Sequence, residues 1–339
     1  MLPLDASLSA LARRHVADII ALAIEHAVTS AALVVSDAHS ELSQIMAEAY
    51  RVALPNAEHL DFDSVGQASI LARFDALQSG DLVVLVQSGS FRLQEFRIRV
   101  ELFKRGLKVI EHPHLGRMRQ DEYGHYIAAL EYDPAYYRGV GQALKTRIDR
   151  ATVAVVDSGG EQLVYDGGFE PAKLNIGDYS TMKNIGGQFP IGEVFTEAKD
   201  LTRVNGRVRI FVFGDTSFHV NVPEKPITLR IEAGKISDVV DTTTEFERVL
   251  AQIRADEELW VRELGFGMNR AFTRERLVSD VGSYERMCGV HLSLGAKHGV
   301  YNKPSFKRRE AKYHVDVFAV TERVLLDDEV VFRDGKWCV

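Results

Sequence analysis

The strongest constraint on this chain is a change of hydrophobic periodicity near its middle. Up to about residue 150, short unbroken apolar runs alternate with stretches of helical spacing. Ala31-Ala32-Leu33-Val34-Val35 and Leu82-Val83-Val84-Leu85-Val86 contain no polar residue. A strand that is apolar on both faces has to be covered on both, which is the situation of a parallel sheet between two layers of helices. The intervening segments supply those helices. Residues 8–27 carry Leu11, Val16, Ile19, Ile20 and Ala23 at helical spacing, and residues 41–53 carry Leu42, Ile45, Met46 and Tyr50. Residues 69–78 and a basic amphipathic stretch, 91–104, read as two more helices, and residues 108–111 as a short strand. The expectation is an open, doubly wound α/β domain over residues 1–150.

From Ala151 the strands crowd together. Residues 152–157, 161–166, 210–214, 218–222, 227–232 and 235–239 read as strands, with Ala233-Gly234 as a hairpin turn. One helix, residues 243–256, interrupts them. The end, residues 313–339, is again strand-like, with turns at Asp327-Asp328-Glu329 and Arg333-Asp334-Gly335. This predicts an antiparallel, β-rich, barrel-like domain over residues 151–339. A length of 339 residues agrees with two domains at roughly 100–200 residues each.

Composition narrows the function. Forty-eight acidic against 41 basic residues give a net charge of −7, which disfavours non-specific nucleic-acid binding. The two cysteines, Cys288 and Cys338, form neither a disulfide framework nor a CxxC zinc site and suit a reducing compartment. The early apolar stretch, residues 16–35, contains Asp18, Glu25 and His26 and is too polar to span a bilayer. The first residues lack the basic start of a signal peptide. A soluble cytoplasmic protein with no membrane or nucleic-acid partner is expected. The glycine-rich region between Gly167 and Gly192 has no P-loop spacing, and Gly139-Val140-Gly141 lacks a third glycine. No phosphate cradle is therefore expected. His112-Pro113-His114 reads as a loop.

Metal-capable side chains concentrate in the second half. In a strand, His314 and Asp316 of Tyr313-His314-Val315-Asp316-Val317 point to the same face. They are either ligands to a cation or a structural His–Asp hydrogen bond. His291 lies in an apolar, glycine-bounded strand, Gly289-Val290-His291-Leu292-Ser293-Leu294-Gly295. It is a ligand or a core histidine on a carbonyl. Glu263 precedes two glycines in Glu263-Leu264-Gly265-Phe266-Gly267, where the backbone can approach closely. Glu193 is a lone acid in Pro190-Ile191-Gly192-Glu193-Val194-Phe195. Each acid is a ligand, an ion-pair partner or a solvated edge residue. Nitrogen and oxygen donors of this kind suit zinc, cobalt or manganese. Five of them exceed what one catalytic zinc uses, and a pair of divalent ions that activates water for hydrolysis fits better.

These segments resemble the aminopeptidase T and aminopeptidase S family of thermophilic, leucyl-aminopeptidase-like metallopeptidases. The resemblance is carried by Gly192-Glu193-Val194-Phe195-Thr196, Glu263-Leu264-Gly265-Phe266-Gly267-Met268-Asn269, His291-Leu292-Ser293-Leu294-Gly295 and His314-Val315-Asp316. It covers about residues 185–339. It implies two divalent metal ions held by Glu193, Glu263, His291, His314 and Asp316. It also implies hydrolysis at a free peptide N-terminus and a homodimer enclosing the active sites. One position departs: the family's catalytic tyrosine, seven residues after His291, is replaced by His298, and Tyr301 follows three residues later. His298 or Tyr301 supplies the oxyanion donor, or neither does and the chain is an inactive peptide-binding relative. The chain also resembles the 2,5-dihydroxypyridine dioxygenases in length and around His314-Val315-Asp316. These use one Fe(II) held by two histidines and an aspartate and place a histidine where this chain has Glu263. The acidic Glu193 and Glu263 side with the peptidase ligand set.

Overall fold

The structure, a computed structural model, describes residues 6–93, 98–295, 301 and 313–339. The chain gathers into two compact units. One comprises residues 1–137, 177–191 and 274–283, and the other residues 138–176, 192–273 and 284–339.

The first unit holds a five-stranded, wholly parallel sheet. Its order is Glu58–Asp61, Ala32–Ser36, Leu82–Val86, Lys108–His112 and Gly186–Gln188. The unbroken apolar run Leu82–Val86 takes the central place, where every residue is buried. The chain moves to one side of Ala32–Ser36 first and to the other side next. The order therefore reverses beside that strand, as in doubly wound folds. Helix Glu41–Ala53 starts at Ser40, whose side chain accepts from the Ser43 amide at 3.1 Å, and its Leu42, Ile45, Met46 and Tyr50 are buried as the spacing predicts.

Three features of this unit differ from the sequence reading. The stretch 91–104 is helical only over Ile98–Lys104, with residues 94–97 outside the described residues. The glycine-rich region contributes an edge strand, Gly186–Gln188, which has no apolar signal to reveal it. His112 is not a loop residue: it ends a strand and is wholly buried. Its Nε2 lies 2.7 Å from the Tyr50 hydroxyl and its Nδ1 2.8 Å from that of Tyr126. The Tyr126 hydroxyl in turn reaches the Phe189 carbonyl at 3.4 Å. That chain of donors assigns the ring proton to Nδ1. Burial pushes the His112 pKa down to about 3, so the ring is neutral.

The second unit is one antiparallel sheet, fourteen-stranded among the described residues, which curls into a half-barrel. Helix Thr244–Asp256, capped by the Thr243 hydroxyl on the Phe246 amide, buries Phe246, Val249, Leu250 and Ile253. Phe246 meets Phe213 of the sheet edge to face, with ring centroids 4.8 Å apart. Helix Pro134–Arg150 was not predicted. No helix among the described residues is long and apolar enough to cross a membrane.

Candidate metal centre

Four strands that are consecutive in the second sheet carry the candidate ligands: Glu193–Glu197, Val261–Gly267, Gly289–Gly295 and His314–Ala319. Residues opposite one another in an antiparallel ladder share a face, as do alternate residues along a strand. Glu193 lies opposite Gly267 and Glu197 opposite Glu263. Gly265 lies opposite both Phe195 and His291, and His291 opposite Phe318. Counting by twos from these pairs sets Glu193, Glu263, His291, His314 and Asp316 on a single face. The opposite face takes Val290, Leu292 and Leu294, all buried.

Gly265 makes this face possible. A Cβ there would stand 2.1 Å from both Cε1 and Nε2 of His291, so the imidazole occupies the space a side chain would need. His291 Nε2 lies 3.2 Å from Glu193 Oε1 and 3.5 Å from Glu263 Oε1. One donor atom from each of these three buried residues falls within 4.8 Å of the others. The contacts are close but lack hydrogen-bond geometry. Both ring nitrogens of His291, Glu263 Oε2 and Asp316 Oδ1 are buried without a hydrogen-bond partner. Leaving such atoms unpaired costs about 1–3 kcal/mol each. A cation would satisfy the carboxylate oxygens and one ring nitrogen at once, so the residues fit a divalent metal. The donor set, oxygen and nitrogen without sulfur, suits a hard or borderline ion.

The electrostatics agree. Burial opposes ionisation of Glu193, but Arg286 and His291 outweigh it and hold the carboxyl below its ordinary range. Burial also favours a neutral His291 ring, yet Glu193 and Glu263 prevail and push its pKa well above normal. A field that favours a proton on this ring also favours a cation beside it. Asp316 is lowered against burial by His314, with His314 Nε2 at 3.2 Å from Asp316 Oδ1. This pair is distinct from the Glu193–Glu263–His291 group, although Asp316 acts electrostatically on both His291 and Glu193.

Arg286, which the sequence reading passed over, enters the same cluster. Its Nη1 donates to Glu193 Oε2 at 2.7 Å and lies within ion-pair distance of Glu285 Oε1, at 2.5 Å. It anchors one oxygen of Glu193, while the other oxygen is the one nearest His291. Glu285 is pushed up to about 8 by burial. Glu197, buried opposite Glu263, is a further acid on this face. Nothing in the local sequence separates Glu285-Arg286 from an ordinary charged turn. Only the fold shows that Arg286 is buried and Glu285 half-buried.

Tyr301 is buried, with its hydroxyl 3.2 Å from the carbonyls of both Pro171 and Phe195. A single O–H is shared between these two acceptors, and burial raises its pKa. His298 and the basic run Lys307-Arg308-Arg309 lie outside the described residues.

No protein-family model matches the chain, and no curated protein matches it. Solved structures share its fold, among them the following two. A 2,5-dihydroxypyridine dioxygenase from Pseudomonas putida KT2440 superposes with a TM-score of 0.65 at 16% identity over 98% of each chain. Wild-type AmpT from Thermus thermophilus superposes with a TM-score of 0.55 at 14% identity, over 97% of this chain and 99% of that one. The likeness is one of architecture and runs nearly end to end in both.

Proposed function

We propose that the protein is a metal-dependent, aminopeptidase-like hydrolase that removes N-terminal residues from peptides. The observation that carries this reading is the buried group of Glu193, Glu263 and His291, whose donor atoms converge while several lack hydrogen-bond partners. In this reading these three residues, with His314 and Asp316, hold two divalent ions of zinc, cobalt or manganese. Such ions supply Lewis-acid polarisation of a carbonyl and a lowered pKa for water. The chain's own part is to fix the donors. Arg286 orients Glu193, Gly265 makes room for His291, and His314 keeps Asp316 ionised. His298 and Tyr301 are the candidates for the oxyanion donor, and Tyr301 would have to release its backbone carbonyls to act. A cytoplasmic homodimer completes the proposal.

A ring-cleaving, Fe(II)-dependent dioxygenase is the second reading, favoured by the higher TM-score to the dihydroxypyridine enzyme. One experiment separates them. The purified protein is assayed on aminoacyl amides with zinc, cobalt or manganese, and for oxygen uptake on dihydroxylated aromatics with Fe(II). Amide cleavage that disappears in the His314→Ala, Asp316→Ala double variant is the expected result. Cleavage retained in that variant overturns the hydrolase site, and Fe(II)-dependent oxygen uptake replaces it with the second reading. Light scattering checks the dimer.

A further inference from the structure

A second constellation lies within the first unit and shares no residue with the metal centre. Ser90 is exposed, in the loop that follows strand Leu82–Val86. His114 is half-buried, in the loop that follows strand Lys108–His112, and Asp280 is fully buried in the 274–283 segment of the same unit. The Ser90 hydroxyl stands 2.6 Å from His114 Nε2, and His114 Nδ1 stands 3.2 Å from Asp280 Oδ1. A nucleophile, a base and an orienting carboxylate are thus in line, the arrangement by which an imidazole takes a serine proton.

The surroundings hold this line in place. Asp280 Oδ1 also accepts from Arg117 at 3.0 Å, and Oδ2 accepts from the amide and hydroxyl of Ser283 at 3.0 and 3.1 Å. A carboxylate so anchored, 3.2 Å from His114 Nδ1, favours the tautomer with its proton on Nδ1, which leaves Nε2 as the acceptor facing Ser90. The two loops are tied together as well. The His114 amide donates to the Gly89 carbonyl at 2.8 Å and the Gly116 amide to the Ser88 carbonyl at 2.9 Å. A Cβ at Gly116 would sit 2.9 Å from that Ser88 oxygen, so the approach requires glycine. His114 itself has φ of +60°, a left-handed conformation that is uncommon outside glycine and concentrates at functional sites. Both loops leave the carboxyl ends of neighbouring parallel strands, where open α/β sheets bind their ligands.

We propose that Ser90, His114 and Asp280 form a metal-independent nucleophilic site that takes small ester-type acyl substrates. Ser90 Oγ forms a bond to the carbonyl carbon as its proton passes to His114 Nε2. The bond to the leaving alkoxide then breaks, and the alkoxide departs with that proton. A water molecule next attacks the acyl carbon and gives its proton to Nε2. The acyl–Oγ bond breaks, the carboxylic acid leaves, and the proton returns to Ser90 Oγ. Asp280 stabilises the imidazolium at each transfer.

The test uses the full chain, with and without prior chelation. A fluorophosphonate probe is added, the adduct is located by peptide mass mapping, and p-nitrophenyl acetate hydrolysis is followed in parallel. One adduct per chain on Ser90, indifferent to chelation, is the expected result. Labelling should vanish in Ser90→Ala, an exposed change that leaves the fold intact by circular dichroism. It should slow by about 100-fold or more in His114→Asn, since asparagine tolerates the left-handed backbone. The proposal is overturned by the absence of an adduct, by an adduct that persists in Ser90→Ala, or by labelling that chelation abolishes.

Discussion

The two sheets place their ionisable groups in opposite ways. In the parallel sheet the central strand, Leu82–Val86, is apolar and buried throughout, and the polar groups Asp37, Ser88, Ser90 and His114 lie just beyond the strand ends. In the antiparallel sheet Glu263, His291 and Asp316 sit inside buried strands. A central strand that is apolar on both faces has nowhere to keep charge, so the Ser90–His114 pair lies in the loops beyond the strand ends. An alternating strand can hold Val290, Leu292 and Leu294 on one face and His291 on the other. The cost is a set of buried charges that must be satisfied from within.

That contrast can be broken by mutation, and the largest effect is expected at Arg286. Arg286→Met leaves Glu193 buried without its partner, and loss of one member of a buried pair costs about 3–5 kcal/mol. Chemical denaturation measures it, and a loss below 1 kcal/mol would show that the cluster is more solvated than its burial indicates. Gly265→Ala comes next. Its methyl would displace the His291 ring, and metal affinity measured by titration calorimetry should fall by about 10–100-fold, the usual effect of disturbing a ligand's orientation. The first unit responds to pH instead. His112 has a folded pKa of about 3 against an ordinary 6.5, so the unfolded chain takes up a proton that the folded chain refuses. Its contribution is complete above pH 6.5 and is lost as pH falls, at about 1.4 kcal/mol per unit. His112→Gln should flatten the stability profile between pH 6.5 and 4 by that slope. The smallest effect is expected at Arg73, which pairs with Glu58 at 2.7 Å with both side chains about half exposed (53% and 46%). Arg73→Ala should cost less than about 1 kcal/mol.

Much of this was legible in the sequence because periodicity reports burial directly. The runs 31–35 and 82–86 and the helix at Glu41–Ala53 follow from the pattern of apolar residues alone. Glu193, Glu263 and His291 stand out in the sequence as polar residues in apolar or glycine-flanked segments, but periodicity alone leaves each of them other roles, and it was the family resemblance that grouped them as the fold does. Gly186–Gln188 was not legible, because glycine carries no hydrophobic signal and only the neighbouring strand makes it part of the sheet. Nor were the roles of Arg286 and Asp280, whose charged partners lie far away in sequence: Glu193 for the first, His114 and Arg117 for the second.

The central claim is that the buried acidic face of the second unit is a metal site. The most direct measurement is elemental analysis of the dialysed protein after incubation with zinc, cobalt or manganese, on the wild type and on a Glu263→Gln, His291→Ala variant. The account predicts at least one tightly held divalent ion per chain in the wild type and its loss in the variant. An unloaded wild type, or equal metal content in both proteins, would contradict it.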